Sequence, residues 1–75
     1  MIELSSEVSM VEIDVKEEWV GKTLTELSLR KKYSINVVAI DDGNEVITDI
    51  DPVLPLRKGT KLIVIVNTQM LKKLR

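Results

Sequence analysis

Cysteine, histidine and phenylalanine are all missing from this 75-residue sequence. Without cysteine the chain has no disulfide and no thiolate metal site, and without histidine it lacks the commonest metal ligand and the commonest general base. Its two aromatic residues, Trp19 and Tyr33, are too few to form a base-stacking platform. Neither a glycine-rich phosphate loop nor a catalytic triad pattern occurs. We therefore expect no enzyme, no metal site and no cofactor.

Neither sign of charge dominates, because 11 basic and 12 acidic side chains give a net charge of −1. Nucleic-acid binding requires a clear excess of positive charge on one surface, so no nucleic-acid partner is expected. Long hydrophobic runs are also missing, since the longest, residues 62–66, is far too short to cross a membrane. The N-terminus has no basic segment followed by a long apolar one. We expect a cytoplasmic chain without direct membrane insertion.

The length of the chain is enough for one small domain. Residues 1–7 show no periodicity and are predicted to be a linker or a frayed terminus, which leaves residues 8–75 as the domain. A core of this size supplies little stability by itself, and no disulfide or bound metal is available to add to it. Contact with a second copy would bury more apolar surface, so we expect a homodimer.

A short helix that runs directly into an apolar strand, residues 21–40, is the stretch around which the chain is organised. Thr23 and Glu26 have the spacing of a capping box, which predicts that the helix begins at Leu24. Ser34 interrupts the helical pattern, and the apolar run at 35–40 then predicts a strand. Trp19 is predicted to seat the helix on the sheet, with ligand stacking as the alternative.

The remaining segments predict an α+β fold of order β-α-β-β-β-α, a mainly antiparallel sheet with helices packed on it and a dimeric assembly. Residues 11–15 alternate between apolar and acidic, as in a strand with one face in water. Asp42-Gly43 indicates a tight hairpin, and residues 45–50 return as its second strand. Residues 51–55 are expected to be an extended linker that packs Val53 and Leu54 on the core. Residues 61–66 are expected to form a central strand covered on both faces, before a C-terminal helix that Asn67 or Thr68 caps.

The helix–strand junction is the candidate site, because Arg30 and Asn36 stand there among apolar residues. A guanidinium suits bidentate contact with phosphate, and an amide offers one acceptor and two donors. The alternative is structural, with Arg30 a cation at the end of a helix and Asn36 a cap at the edge of a strand. Asp41 and Asp42 have no partner at metal-ligand or acid–base spacing, so turn formation explains them better.

Four segments of the chain resemble the TrkA-C domain, also called the RCK C-terminal domain: residues 11–15, 19–33, 35–40 and 56–66. The most specific matches are Gly21-Lys22-Thr23-Leu24, Leu29-Arg30, Tyr33 and Ile35-Asn36-Val37. The resemblance implies that residues 8–75 are the regulatory lobe of a cytoplasmic gating subunit of a potassium uptake system, working at the inner face of the membrane beside a transporter or channel subunit. It also implies pairing as dimers and, in the Ktr-type branch, cyclic di-AMP bound in the cleft between two lobes.

The same resemblance assigns the ligand site residue by residue. It matches Arg30 and Asn36 to positions that contact the ligand and its phosphates, Leu24, Val37 and Pro52 to apolar positions that enclose the adenines, and Asn44 to a polar position across the hairpin. Thr60 stands where an aspartate is common, and acidic Asp41-Asp42 replaces a usually basic hairpin, which is unfavourable for an anionic ligand. No G-x-G-x-x-G motif occurs, so dinucleotide binding is not implied.

Two functions are therefore open. The first is a ligand-sensing regulatory domain that binds cyclic di-AMP at a dimer interface. The second is a dimerisation or assembly module of an ion-transport regulator with no small-molecule ligand.

Overall fold

A computed structural model describes residues 1–74 of the chain. It contains a five-stranded antiparallel sheet, three short α-helices and two 3-10 turns, at Glu17–Trp19 and Thr68–Met70. In chain order the elements are β1 (Ile2–Glu3), β2 (Val8–Asp14), α1 (Leu24–Leu27), α2 (Leu29–Tyr33), β3 (Asn36–Asp41), β4 (Val46–Ile47), β5 (Lys61–Asn67) and α3 (Leu71–Leu74). The predicted α+β class and the antiparallel sheet are confirmed, and β1 is an addition to the predicted order.

The strand β5 is central, as its unbroken apolar sequence predicted, and the strand order is β1-β2-β5-β3-β4. It pairs with β2 along all seven residues, from Val8 opposite Asn67 to Asp14 opposite Lys61. On its other side it pairs with β3, where the register shifts between Val37 and Ala39. This irregularity leaves Val38 without a partner in the ladder.

The core lies on one face of the sheet. Leu62, Val64 and Val66 of β5 are fully buried there. Side chains from all three helices join the same cluster, together with Val11, Val15, Trp19, Ile35 and Leu56. The opposite face carries Ile63 and Ile65, which alternate with the buried residues and stay half-exposed. The prediction that β5 is covered on both faces is therefore wrong for this chain by itself.

The helical segment begins at the predicted residue. The backbone N–H of Glu26 donates to the hydroxyl of Thr23 at 3.1 Å, and the Glu26 carboxylate accepts from the N–H of Thr23 at 3.1 Å. This completes the predicted capping box. The segment is not one continuous helix, however, because Ser28 adopts a left-handed conformation with φ of 49° and divides α1 from α2.

Three details of the predicted segments differ. The return strand of the hairpin is only Val46–Ile47 long, and part of the predicted N-terminal linker forms β1, pairing Ile2 and Glu3 with Met10 and Ser9. Val53 and Leu54 do not pack on the core, since they are 64% and 61% exposed. Leu56 takes that place: its N–H donates to the carbonyl of Lys22 and its carbonyl accepts from the N–H of Gly21, each at 2.8 Å.

Trp19 is buried in the core with 5% of its surface exposed, which supports its predicted role of seating the helical segment on the sheet. Lys16 lies over its ring, with Nζ 5.6 Å from the ring centroid. A tryptophan held in this way has no free face for a ligand. Asn67 accepts a hydrogen bond from the N–H of Gln69 at 2.9 Å and caps the C-terminal helical turn, as predicted. Within residues 1–74, none of the helices has the length and apolar character that a membrane crossing requires.

Candidate functional site

A surface hollow of about 650 Å³ lies where the helical segment meets β3. We call it the junction hollow. Its walls come from α1, α2, the start of β3 and the segment that contains Pro52. Its lining residues are Leu24, Thr25, Ser28, Leu29, Arg30, Lys31, Ile35, Asn36, Val37 and Pro52. Five of the six residues that the sequence suggested therefore meet at one place.

Arg30 and Asn36 are the polar residues of the hollow that were expected. Arg30 is exposed on α2, and it forms no ion pair with any residue of 1–74. Asn36 is half-buried at the start of β3, and its amide has no hydrogen-bond partner among the side chains and backbone groups of residues 1–74. Both groups are therefore available to a ligand, and neither is held in place by a structural partner within the described chain.

Apolar walls face these polar groups. Leu24 and Val37 are partly buried and rest on the core, so their exposed parts form a rigid surface. Pro52 is fixed from the other side, because its carbonyl accepts hydrogen bonds at 3.2 Å from both the N–H and the hydroxyl of Thr25. The loop that carries Pro52 is thereby tied to the first turn of the helical segment. Such walls suit a flat, apolar ring.

Sequence reasoning missed Lys31, Ser28 and Thr25, which also line the hollow. Lys31 is exposed on α2, next to Arg30. Thr25 lies in α1, Ser28 at the break and Lys31 in α2, so no single helical spacing in the sequence indicates that they share one hollow. What the sequence did not indicate is the left-handed Ser28, which ends α1 and gives α2 a new direction.

Asn44 and the acidic hairpin are not part of the junction hollow. Asn44 is exposed in the β3–β4 turn, where its N–H donates to Asp42 Oδ1 at 2.8 Å. The N–H of Glu45 donates to the same oxygen at 2.9 Å, and the N–H of Gly43 donates to Asp41 Oδ1 at 2.9 Å. The hydrogen bond from Glu45, followed by the one from Asn44, lowers the pKa of the Asp42 carboxyl. The carboxylates thus organise the turn, in agreement with their predicted role.

The electrostatic character of the hollow follows from its lining. Two cations, Arg30 and Lys31, face it, and none of its lining residues is acidic. The arrangement therefore favours an anion, and the Asn36 amide adds a hydrogen-bonding group. The hydroxyls of Thr25 and Ser28 already donate to the carbonyls of Pro52 and Thr25. Within residues 1–74 no group of three acidic side chains is placed to hold a metal ion.

Fold and hollow together define a class: a small α+β domain, with helices on one face of an antiparallel sheet and a cationic, apolar-walled hollow at the helix–strand junction. The chain belongs to the TrkA-C domain family, whose model matches residues 8–75. This confirms the resemblance that the sequence suggested.

Individual relatives agree with this assignment. The Ktr system potassium uptake protein C of Bacillus subtilis (strain 168) is 52% identical over 46 residues, which is 61% of this chain and 21% of that protein. The chain thus matches about a fifth of the length of this curated relative. The RCK C domain of the potassium transport protein KtrA, solved with cyclic di-AMP, matches with a TM-score of 0.84 at 34% identity, covering 95% of this chain and 84% of the other. The RCK_C domain dimer of S. agalactiae BusR, also solved with cyclic di-AMP, matches with a TM-score of 0.75 over 92% of this chain and 88% of the other, but at 21% identity this likeness shows the fold alone.

Proposed function

We propose that this chain is the regulatory, ligand-binding domain of a gating subunit in a potassium transport system, and that its ligand is cyclic di-AMP. The single observation that carries the proposal is the junction hollow, which joins a free guanidinium and a free amide to apolar walls and contains no carboxylate. A KtrA domain that shares 34% of its residues with this chain has been solved with that ligand. The proposed role is regulatory and not catalytic.

The proposed contacts follow from the chemistry of the ligand, which combines two phosphates with two adenines. Arg30 would contact a phosphate with its planar fork, and Lys31 would add a second positive charge nearby. Asn36 would donate to a phosphate or pair with the edge of a base. Leu24, Val37 and Pro52 would lie against an adenine. The role of Asn44 stays a prediction from resemblance alone, since it does not line the hollow of its own chain.

A homodimer is part of the proposal, and the open face of the sheet supports it. Asn36 pairs with Ile65, and Ile65 pairs with Met10, so the junction hollow continues directly onto this face. Ile63 and Ile65 are half-exposed there although they belong to the central strand. A second copy that covered this face would bury additional apolar surface. A domain of this size gains stability from that burial because its own core is small. The second copy would also bring two junction hollows close together.

A domain with this function would work in the cytoplasm, at the inner face of the cell membrane beside a potassium transporter or channel subunit. Binding of the ligand would change the geometry of the dimer, and the transporter would respond to that change.

Titration calorimetry with cyclic di-AMP tests the proposal. Arg30→Ala should weaken binding by about 1–3 kcal/mol, because a charge-assisted contact is lost. Its stability should change by no more than a few tenths of a kcal/mol, because Arg30 is an exposed side chain. Lys32→Ala is the matched control, since Lys32 is an exposed cation of the same helix and does not line the hollow.

Equal losses in the two variants would mean that general attraction to positive charge, and not the hollow, holds the ligand. If the unaltered chain forms dimers but binds no cyclic di-AMP, the ligand-binding function is wrong and the assembly-module function replaces it. Thermal melts of each variant without ligand separate a binding defect from a folding defect.

A further inference from the structure

A second hollow, of about 440 Å³, lies near the hairpin end of the sheet and shares no lining residue with the junction hollow. We call it the acidic hollow. Its floor is apolar and comes from β3, β4 and the irregular segment that follows them. The apolar lining residues are Ile40, Ile47, Ile50, Leu54, Pro55 and Leu56, and the polar ones are Asp42, Asp49, Asp51, Arg57 and Thr60.

The charge of this second hollow is opposite to that of the first. Three aspartates and one arginine line it, whereas the junction hollow has two cations and no acid. Two of the aspartates are held by the backbone: Asp42 accepts from Asn44 and Glu45, and Asp51 Oδ1 accepts from the N–H of Val53 at 3.1 Å. Asp49 is exposed and has no such bond within residues 1–74. The fold therefore holds two of the three carboxylates in place beside the hollow.

A large apolar side chain stands exposed beside these carboxylates. Leu54 is 61% exposed although it lines the hollow, and Pro55 follows it. Exposed apolar side chains that border a concave apolar floor form a contiguous apolar patch, and such a patch marks a contact surface. The carboxylates are not grouped as a metal site within residues 1–74. Apolar floor and acidic rim together match a ligand that is itself apolar and cationic.

We propose that the acidic hollow docks a peptide segment of a partner protein, in which an apolar side chain is flanked by lysine or arginine. The apolar side chain would occupy the floor between Ile47 and Leu56 and cover Leu54. The flanking cations would approach Asp49 and Asp51, and they would avoid the side on which Arg57 lies. Charge complementarity of this kind fixes the orientation of the segment and speeds its association, while burial of the apolar side chain holds it.

The probe for the experiment is a short capped peptide of alternating lysine and leucine, added to isotope-labelled protein and followed by amide NMR. We expect the shifted resonances to cluster at residues 40–60, around the acidic hollow. A peptide in which glutamate replaces each lysine should shift none of them. Raising the ionic strength from about 0.02 M to about 0.3 M should weaken the binding, because salt screens contacts between exposed charges.

Two pairs of variants sharpen the test. Leu54→Ser should weaken binding by about tenfold, the scale of a lost apolar side chain, and Val53→Ser should not, although Val53 is equally exposed and does not line the hollow. Asp49→Asn should weaken it by about threefold, the scale of an exposed ion pair. Glu45→Gln is its control, because Glu45 is acidic and exposed close by but lies outside the lining.

Three results would overturn the proposal. The first is the absence of any shift. The second is a set of shifts spread over residues 1–18, which carry six acidic side chains, or equal binding by Leu54→Ser and Val53→Ser, which would mean non-specific attraction. The third is a response of the same resonances to protein concentration without peptide, which would assign the hollow to contact between copies of this chain.

Discussion

Asp42 stabilises the β3–β4 turn, although two neighbouring carboxylates could also suggest a binding site. Its oxygen accepts two backbone N–H groups, so the charged form is stabilised in the folded chain and the pKa is lowered. Gly43, with φ of 96°, completes the turn because a side chain at that position would be strained. The pair Asp41-Asp42 is thus explained by backbone geometry.

The first prediction concerns the pH dependence of stability. The folded pKa of Asp42 lies below the unfolded value, so its stabilising effect is complete above about pH 4 and is lost as the pH falls through the folded pKa. Asp42→Asn should therefore lower the free energy of unfolding at neutral pH and reduce its decline in acid. Urea unfolding at several pH values measures both effects.

Asp49→Asn is the control for this experiment, since Asp49 accepts no backbone hydrogen bond within residues 1–74. Its stability at neutral pH should be unchanged. An identical acid decline in the unaltered chain and in Asp42→Asn would show that other carboxylates govern the response.

At the scale of elements, two left-handed serines shape the helical segment. Ser28 separates α1 from α2, and Ser34, with φ of 54°, ends α2. The N–H of Ser34 donates to the carbonyl of Arg30 at 3.0 Å and that of Ile35 to the carbonyl of Leu29 at 3.3 Å, so the chain turns sharply into β3. These two turns give Arg30, Lys31 and Asn36 their common direction toward the hollow.

Ser34→Gly should stabilise the fold by about 0.5–1 kcal/mol, because glycine adopts a left-handed conformation without the clash that a Cβ atom causes. Ser34→Val should destabilise it by about 1–2 kcal/mol for the opposite reason, as branching at Cβ makes that conformation worse. Chemical denaturation measures both changes.

Ser6→Gly serves as the control, since Ser6 is exposed and its φ is not positive. There, glycine only increases the freedom of the unfolded chain, and it should leave stability unchanged or lower it slightly. A gain at Ser6 equal to that at Ser34 would contradict the conformational explanation.

Elements governed by local chemistry could be predicted from the sequence. The capping box of Thr23 and Glu26, the cap at Asn67 and the hairpin at Asp42-Gly43 each depend on residues within a few positions of one another. The joint placement of Arg30 and Asn36 could also be predicted, because they flank a short turn. The family resemblance added Leu24, Val37 and Pro52, which lie far apart in the chain.

Features that depend on tertiary competition could not be predicted. Val53 and Leu54 were expected in the core because they are apolar, but both are exposed. Leu56 lies in the core instead, because its backbone is hydrogen-bonded to Gly21 and Lys22. The apolar pattern of β5 predicted a strand that is buried on both faces. The sequence does not indicate whether the residues that bury the second face belong to the same chain or to another copy. Serine seldom adopts a left-handed conformation, so the helix break at Ser28 could not be predicted from its residue type.

At the scale of the whole molecule, the junction hollow and the sheet face form one continuous surface. Asn36 belongs to both, since it lines the hollow and pairs with Ile65. A two-fold axis close to this surface would bring two hollows together, each with its own Arg30 and its own apolar walls. A ligand with two phosphates and two adenines has the same symmetry. Dimer formation and ligand binding should therefore depend on each other.

The last prediction is one cyclic di-AMP for every two chains. Because the ligand would contact both chains, it should stabilise the dimer by mass action, and melting temperature should rise with both ligand and protein concentration. Ile65→Glu should weaken the dimer, since it places a charge on the apolar sheet face, and it should weaken ligand binding in parallel. Val53→Glu is the control, because Val53 is exposed but lies neither in the junction hollow nor on the sheet.

Calorimetry gives the ratio of ligand to chain, and light scattering of the same samples gives the oligomeric state. A ratio of one ligand per chain, or full affinity in a monomeric Ile65→Glu chain, would remove the shared cleft and leave a site complete within each chain. A dimer that persists in Ile65→Glu with the predicted ratio would keep the shared cleft and move the interface away from the sheet face. The two measurements together therefore test whether the dimer forms and whether the ligand is shared between its chains, because a ligand on the two-fold axis is counted once for two chains.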